Sequence, residues 1–187
     1  MLFRSDVAAR RDIPVSEALF FNPWSVGEPV WNSALDAFTL AYNQRGHQVL
    51  RVLAVGRDGE IRTVVEERSN TFIDYSGKYY CRFLEGRREL LWMSERSGWN
   101  HLYRYDAAAG SVLNPVTAGE WVVRGVERVD DENGVVWFTL SGVHPKENPY
   151  FVHHARINVD GTGFTVLTAG DGDHTVAWSP EIGRAHV

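Results

Sequence analysis

Histidines, clustered acids and a single cysteine are the residues whose types and spacing could do chemistry in this 187-residue chain. His153-His154 offers two imidazoles, but neighbours on an extended backbone point to opposite faces and cannot readily share one ion. His101 and His174 stand at the starts of apolar runs beside polar turns, where a ring N–H commonly satisfies a backbone carbonyl. Asp171-Gly172-Asp173 and Asp130-Asp131-Glu132-Asn133-Gly134 hint at calcium loops. Neither has the alternating acidic spacing closed by a distal glutamate, so both read as turns. Cys81 is the only cysteine, which excludes an intrachain disulfide and a cysteine-built zinc site; it reads as a small half-buried side chain. Glu66-Glu67 reads as a solvated strand end. Acyl transfer by a serine would need a strained G-x-S-x-G elbow, and that motif does not occur in the sequence. The expectation is a chain with no catalytic residue, no metal site and no cofactor.

The bulk properties narrow the partners. The formal charge is −5, from 19 basic and 24 acidic residues. Arg45, Arg96 and Arg124 lie among aromatics, yet this balance argues against nucleic acid as a partner. No apolar run approaches the ~20 residues of a spanning helix, so no membrane span is expected. Arg4, Arg10 and Arg11 are not followed by the roughly 7–15 apolar residues of an export signal, so no signal peptide is visible. Either the chain stays in the cytosol or its true beginning is missing. Apolar residues make up 44% and charged residues 23%, an ordinary globular mixture. Seven tryptophans, seven tyrosines and nine phenylalanines imply large apolar contacts, inside or on a recognition surface.

A repeat organises the elements that must position these groups. Gly59, Gly110 and Gly161 each sit in a polar turn ahead of a short apolar stretch, at a constant separation of 51. Thr117-Ala118-Gly119 returns as Thr168-Ala169-Gly170 at the same separation of 51, and Trp31 and Trp178 lie 147 apart, three steps of 49. Each unit reads as strands joined by glycine-containing turns: residues 38–42, 47–55 and 61–65; then 90–93, 101–105 and 112–113; then 135–140, 150–159 and 164–167. A fourth strand is expected to link the units, at residues 71–75, 121–129 and 174–178. Leu90-Leu91-Trp92-Met93 and Val135-Val136-Trp137-Phe138 are continuous apolar runs, so both faces of those strands must be covered. Four strands in a unit of ~40–50 residues is the signature of a β-propeller. The predicted class is therefore all-β, a partial propeller of about three four-stranded antiparallel blades in an incomplete ring. A β-sandwich is the runner-up but predicts no constant repeat. The expected boundaries are a stub or linker over 1–33, blades at about 34–75, 76–127 and 128–180, and a non-native tail over 181–187.

The segment Ser94-Glu95-Arg96-Ser97-Gly98-Trp99-Asn100-His101-Leu102-Tyr103 resembles the propeller of dipeptidyl peptidase IV-type serine peptidases, in the prolyl oligopeptidase superfamily. The resemblance continues through Thr117-Ala118-Gly119-Glu120-Trp121-Val122-Val123 and Gly172-Asp173-His174-Thr175-Val176-Ala177-Trp178-Ser179-Pro180. Tyr42-Asn43-Gln44-Arg45-Gly46-His47-Gln48 is similar to the preceding blade of bacterial members. It implies a noncatalytic shell over an α/β-hydrolase domain of the same parent chain, which carries a Ser-Asp-His triad. Substrates would be peptides with Pro or Ala at the second position, gated and positioned by the propeller, and subunit contact in a homodimer is a further implied role. A periplasmic or secreted parent is compatible with it. The paired glutamates that clamp the substrate amine in the family belong to an earlier blade. Tyr75 ends an expected innermost strand, near the place where an aromatic of the related peptidases packs against the substrate, and is the candidate substrate-binding residue.

Two other readings stay open. A freestanding propeller could serve as a scaffold that binds protein or glycan. A propeller glycosidase would need carboxylates converging on the channel, and the inner strands offer only scattered ones, Asp74 and Glu127 being the nearest. After Pro180 the repeat requires a turn and an apolar strand. The sequence instead reads Glu181-Ile182-Gly183-Arg184-Ala185-His186-Val187, a heptapeptide that one frame of a common sequencing adapter would encode, so the natural protein is expected to continue past Pro180.

Overall fold

The computed structural model of the chain describes residues 3–6 and 11–178, and among them there is no helix. A hairpin of β1 (Phe3–Asp6) and β2 (Arg11–Pro14) comes first. The first large sheet contains β3 (Pro23–Val26), β4 (Val30–Asn32), β5 (Ala37–Gln44), β6 (Val49–Gly56) and β7 (Ile61–Arg68), in the order β3-β5-β6-β7 with β4 also paired to β5. The second contains β8 (Cys81–Phe83), β9 (Glu89–Ser94), β10 (His101–Asp106) and β11 (Ser111–Pro115), each beside the next. The third repeats that order with β12 (Val122–Asp130), β13 (Val135–Ser141), β14 (His153–Asn158) and β15 (Thr165–Val166). Consecutive antiparallel four- to five-stranded sheets are the blades of a partial β-propeller.

The chain divides into two compact units, residues 1–94 with 103–114, and residues 95–102 with 115–187. In the first unit the continuous apolar strands find cover on both sides. Leu50, Val52, Ala54, Val64 and Val65 of the first sheet pack with Leu90, Trp92, Tyr103 and Tyr105 of the second. Leu40, Tyr42, Leu53 and Val55 turn to the other face of the first sheet, against Val15, Leu19 and Phe20. That alternation follows from the period-two pleat of β5 and β6. The Tyr42 hydroxyl donates to the Phe21 carbonyl, which ties the approach to β3 onto the sheet. Burial raises the Tyr42 phenol above its ordinary range, against the opposing pull of Arg51.

In the second unit, Val123, Val136, Phe138, Leu140, Ala155 and Ile157 are buried. The turn from β12 to β13 is closed by Asp130, whose carboxylate accepts from the Asn133 N–H at 3.0 Å and the Asn133 amide at 2.8 Å. These bonds hold the Asp130 carboxyl below its usual range. The acidic run at Asp130 is thus a hairpin cap.

Three parts of the strand pattern differ from the sequence expectation. Residues 71–75 and 174–178 form no strand. The first is folded back by a bond from the Tyr75 N–H to the Ile73 carbonyl at 2.8 Å, and the second meets the start of β14 without joining its ladder, through the His174 N–H to the Val152 carbonyl at 3.1 Å and the His174 carbonyl 3.0 Å from the His154 Nε2. The strand expected at 121–129 is β12, and it pairs with β13, so it opens the third sheet instead of closing the second. Within the segment read as a stub or linker, β3 and β4 both pair with β5. The tail 181–187 lies outside the described residues.

Candidate functional site

Around the turn between β5 and β6 lies a group of aromatic rings, half-buried at His47 and Tyr75 and exposed at Trp24 and Phe72. The His47 N–H donates to the Gln44 carbonyl at 2.9 Å, closing a turn through Arg45 and Gly46. Gly46 has φ of 95° and His47 has φ of 56°. A left-handed backbone is ordinary for glycine but uncommon for a histidine, and its surroundings must hold it there. Those surroundings are specific. The Ile73 N–H donates to the His47 carbonyl at 2.8 Å, and the His47 Nδ1 lies 3.2 Å from the Asn43 Oδ1.

Around this imidazole the rings are arranged edge and face. Tyr75 stacks on His47 at 4.3 Å between centroids and 24° between planes. Trp24 meets His47 edge-on at 5.3 Å, Phe72 meets it at 5.4 Å, and Arg45 lies 5.3 Å over the Trp24 ring. Trp24 is 51% and Phe72 53% exposed. Both large apolar side chains border the His47 ring and stay open to solvent. The group offers π faces for an apolar side chain and a cation beside them. Tyr75, the residue singled out from sequence, belongs to this group. Trp24, His47 and Phe72 were not singled out; the legible signal was the Arg45-Gly46-His47 turn itself.

The remaining candidates are engaged elsewhere. Asp74 caps its own turn, accepting from the Gly77 N–H at 2.8 Å and lying 3.3 Å from the Ser76 hydroxyl. Glu66 lies 2.6 Å from both Arg51 and Arg68. Burial raises its carboxyl, but the hydrogen bonds from Arg68 and Arg51 outweigh that and hold it low. Glu67 accepts from the Trp92 indole at 3.1 Å and the Ser94 hydroxyl at 2.8 Å. The reading of this pair as a solvated strand end fails for Glu67, whose side chain bonds Trp92 and Ser94 of the neighbouring sheet of the same unit, while Glu66 and Arg68 on the other face are exposed. Cys81 is half-buried, and burial pushes its thiol up to about 12 against the opposing effect of the Tyr79 hydrogen bond.

At the opposite end of the first sheet, a recess of about 370 Å³ is lined by Asp36, Arg57, Asp58, Glu60 and Arg62 among others. Arg57 pairs with Asp36 at 2.7 Å and lies 4.7 Å over Trp31. Arg96 lies in the exposed turn after β9 and Arg124 is exposed on β12.

In the second unit, His101 is buried between Thr117 Oγ1, 3.0 Å from its Nδ1, and the Gly119 carbonyl, 3.0 Å from its Nε2. Burial lowers its basicity, against the contrary effect of the Gly119 carbonyl. His153 and His154 turn to different partners, Nε2 of the first to Glu147 at 2.9 Å and Nδ1 of the second to Glu127 at 3.0 Å. His174 places Nε2 3.2 Å from the Gly170 carbonyl, and Asp173 caps the Val152 N–H at 2.9 Å.

The model of the family described as the dipeptidyl peptidase IV (DPP IV) N-terminal region matches residues 6–186. The chain is 28% identical over 123 residues to dipeptidyl peptidase 4 of Arthroderma otae, covering 64% of this chain and 16% of that protein. It is likewise 28% identical over 136 residues to dipeptidyl peptidase 4 of Trichophyton rubrum, covering 71% of this chain and 17% of that protein. The chain therefore spans about a sixth of the length of these curated relatives. Among solved structures it is similar to dipeptidyl peptidase 4 of Porphyromonas gingivalis, with a TM-score of 0.71, 20% identity, and coverage of 91% of this chain and 23% of that one. That last likeness is one of fold.

Proposed function

This chain belongs to the family of dipeptidyl peptidase IV N-terminal regions, and from that membership we propose that it is the noncatalytic β-propeller portion of a dipeptidyl peptidase IV-like serine exopeptidase. Its work is to gate and position peptides, and the hydrolysis is done by an α/β-hydrolase domain carried by the rest of the parent chain. The peptides are those with Pro or Ala at the second position, and the parent assembles as a homodimer. The observation that carries this reading is the family match over nearly the whole chain, on a three-blade fold. The half-buried stack of His47 and Tyr75, bordered by the exposed Trp24 and Phe72, supports it, since a ring face accepts a prolyl or small aliphatic side chain.

In this reading Tyr75 contacts substrate. Tyr75→Ala in the full-length parent removes a ring contact worth about 0.5–1.5 kcal/mol, which raises KM for a Gly-Pro-arylamide roughly 2- to 12-fold and leaves kcat nearly unchanged. Tyr75→Phe keeps the stacked face and keeps the KM. Steady-state kinetics on the two variants check this. An unchanged KM in Tyr75→Ala removes Tyr75 from the substrate path. A parent gene that ends without any G-x-S-x-G supports instead a freestanding propeller that binds protein or glycan.

A further inference from the structure

The loop joining β13 to β14, residues 142–152, is longer than its counterpart in the second sheet, residues 95–100, and carries two side chains able to ligate a metal. Within it the Glu147 N–H donates to the His144 carbonyl at 3.1 Å. That turn sets His144 and Glu147 three residues apart on one bend, with Pro145 and Pro149 restricting the backbone beside them. His153 is the first residue of β14; its backbone is fixed opposite Leu140, and it is 2% exposed. Its Nε2 lies 2.9 Å from the Glu147 Oε2, and the His144 ring meets it edge-on at 4.9 Å between centroids. One ligand atom from each of the three residues lies within 4.8 Å of the other two.

From this arrangement the geometry points to a zinc-binding site formed by His144, Glu147 and His153, an assignment that does not depend on the peptidase reading. Two imidazoles and one carboxylate are a common three-residue zinc set that leaves a fourth position for water. Ligand atoms at tetrahedral zinc sit about 3.4 Å apart. Glu147 and His153 are already closer than that, and His144, on a half-buried bend, closes the remaining gap by rotating its side chain. Calcium and magnesium, which take oxygen ligands, do not suit two imidazoles.

The surroundings of His153 fit a ligand. Its Nδ1 lies 3.3 Å from the Thr168 Oγ1, which also accepts from the His154 N–H at 3.1 Å. With zinc on Nε2, the imidazole proton resides on Nδ1 and is donated to Thr168, whose two lone pairs then serve His153 and His154. The repeat supplies an internal contrast. His101 has the same threonine contact, but its Nε2 is taken by the Gly119 carbonyl at 3.0 Å. The longer loop of the third sheet brings a carboxylate and a second imidazole to the equivalent nitrogen.

The test is equilibrium binding of Zn²⁺ to the full 187-residue chain and, in parallel, to the full-length parent, by calorimetry and by metal content after desalting. The expected result is one Zn²⁺ per chain with a raised melting temperature, and no such rise with Ca²⁺ or Mg²⁺. His144→Ala and Glu147→Gln lie on the half-buried bend and leave the β14 pairing intact, as far-ultraviolet circular dichroism will register. Each is expected to weaken zinc at least 10-fold, and the pair together to abolish it. Absence of bound zinc from both proteins, or zinc bound equally well by the double variant, overturns the site.

Discussion

Replacing Trp92 with alanine is expected to cost about 3–5 kcal/mol of folding stability, as for a large buried aromatic whose site cannot collapse. Trp92 is 1% exposed and sits where the first two sheets of one unit meet, in a cluster with Leu50, Val52, Val64, Val65, Leu90 and Tyr105. Tyr79 closes over its edge at 5.7 Å. Its indole N–H is a donor to Glu67 at 3.1 Å. Two effects are therefore combined, and Trp92→Phe separates them. The phenyl ring keeps most of the packing and loses the donor, for a smaller cost of about 0.5–1.5 kcal/mol. Urea denaturation followed by far-ultraviolet circular dichroism measures both. A loss below about 1 kcal/mol in Trp92→Ala is the behaviour of a surface residue and would contradict the packing of these two sheets.

Gly119→Ala is the second large effect, and the repeat provides its control. A methyl at Gly119 would lie 2.2 Å from the Trp121 Nε1 and 2.6 Å from its Cδ1, on a backbone with φ of +141°. Trp121 cannot easily retreat. Phe164 stacks on it at 5.3 Å, Phe138 at 6.1 Å, and His101 meets it edge-on at 4.9 Å. Moving the Gly119 backbone instead breaks the contact between its carbonyl and the His101 Nε2. Overpacking and backbone strain together predict a loss of about 2–6 kcal/mol. Gly170 occupies the same place in the Thr-Ala-Gly repeat with φ of +104°, but nothing lies within 4 Å of the added methyl. Gly170→Ala therefore carries the strain alone, about 1–3 kcal/mol. Melting curves of the two variants decide the matter: equal losses would show that the Trp121 contact contributes nothing.

Much of this organisation is legible in the amino-acid sequence. The continuous apolar run Leu90-Leu91-Trp92-Met93 demanded cover on both faces, and all four residues are buried. The 51-residue recurrence of Thr-Ala-Gly marks equivalent turns, with Thr117 and Thr168 each beside a strand-opening histidine. What escaped was set by contacts distant in sequence. Cys81–Phe83 is too short to show a period, and β3 contains a proline and exposed residues, so neither reads as a strand. Residues 71–75 look like a strand because Phe72, Ile73 and Tyr75 are apolar, yet two of those rings pack on His47 instead of entering a ladder.

The sites were less legible than the fold. Tyr75 is legible through family resemblance, but the ring it stacks on, His47, comes from the β5–β6 turn, and His47 in turn meets Trp24 from a further segment. In the sequence His153 is read with its neighbour His154, as a pair that cannot readily share one ion. Alternation on a strand separates that pair and gives no account of a loop that folds back. The partners of His153 lie nine and six residues earlier, at His144 and Glu147, across two prolines. Strand periodicity could not join them; the turn between His144 and Glu147 does.

The central claim is that this polypeptide shapes access to a catalytic centre it does not itself contain. It is tested most directly by assaying hydrolysis of a Gly-Pro-arylamide by the purified 187-residue chain beside its full-length parent, with and without a serine-directed inhibitor. The account predicts inhibitor-sensitive turnover by the parent and none by the chain alone. Robust, inhibitor-sensitive turnover by the isolated chain, or a parent that is inert toward such substrates, would contradict it.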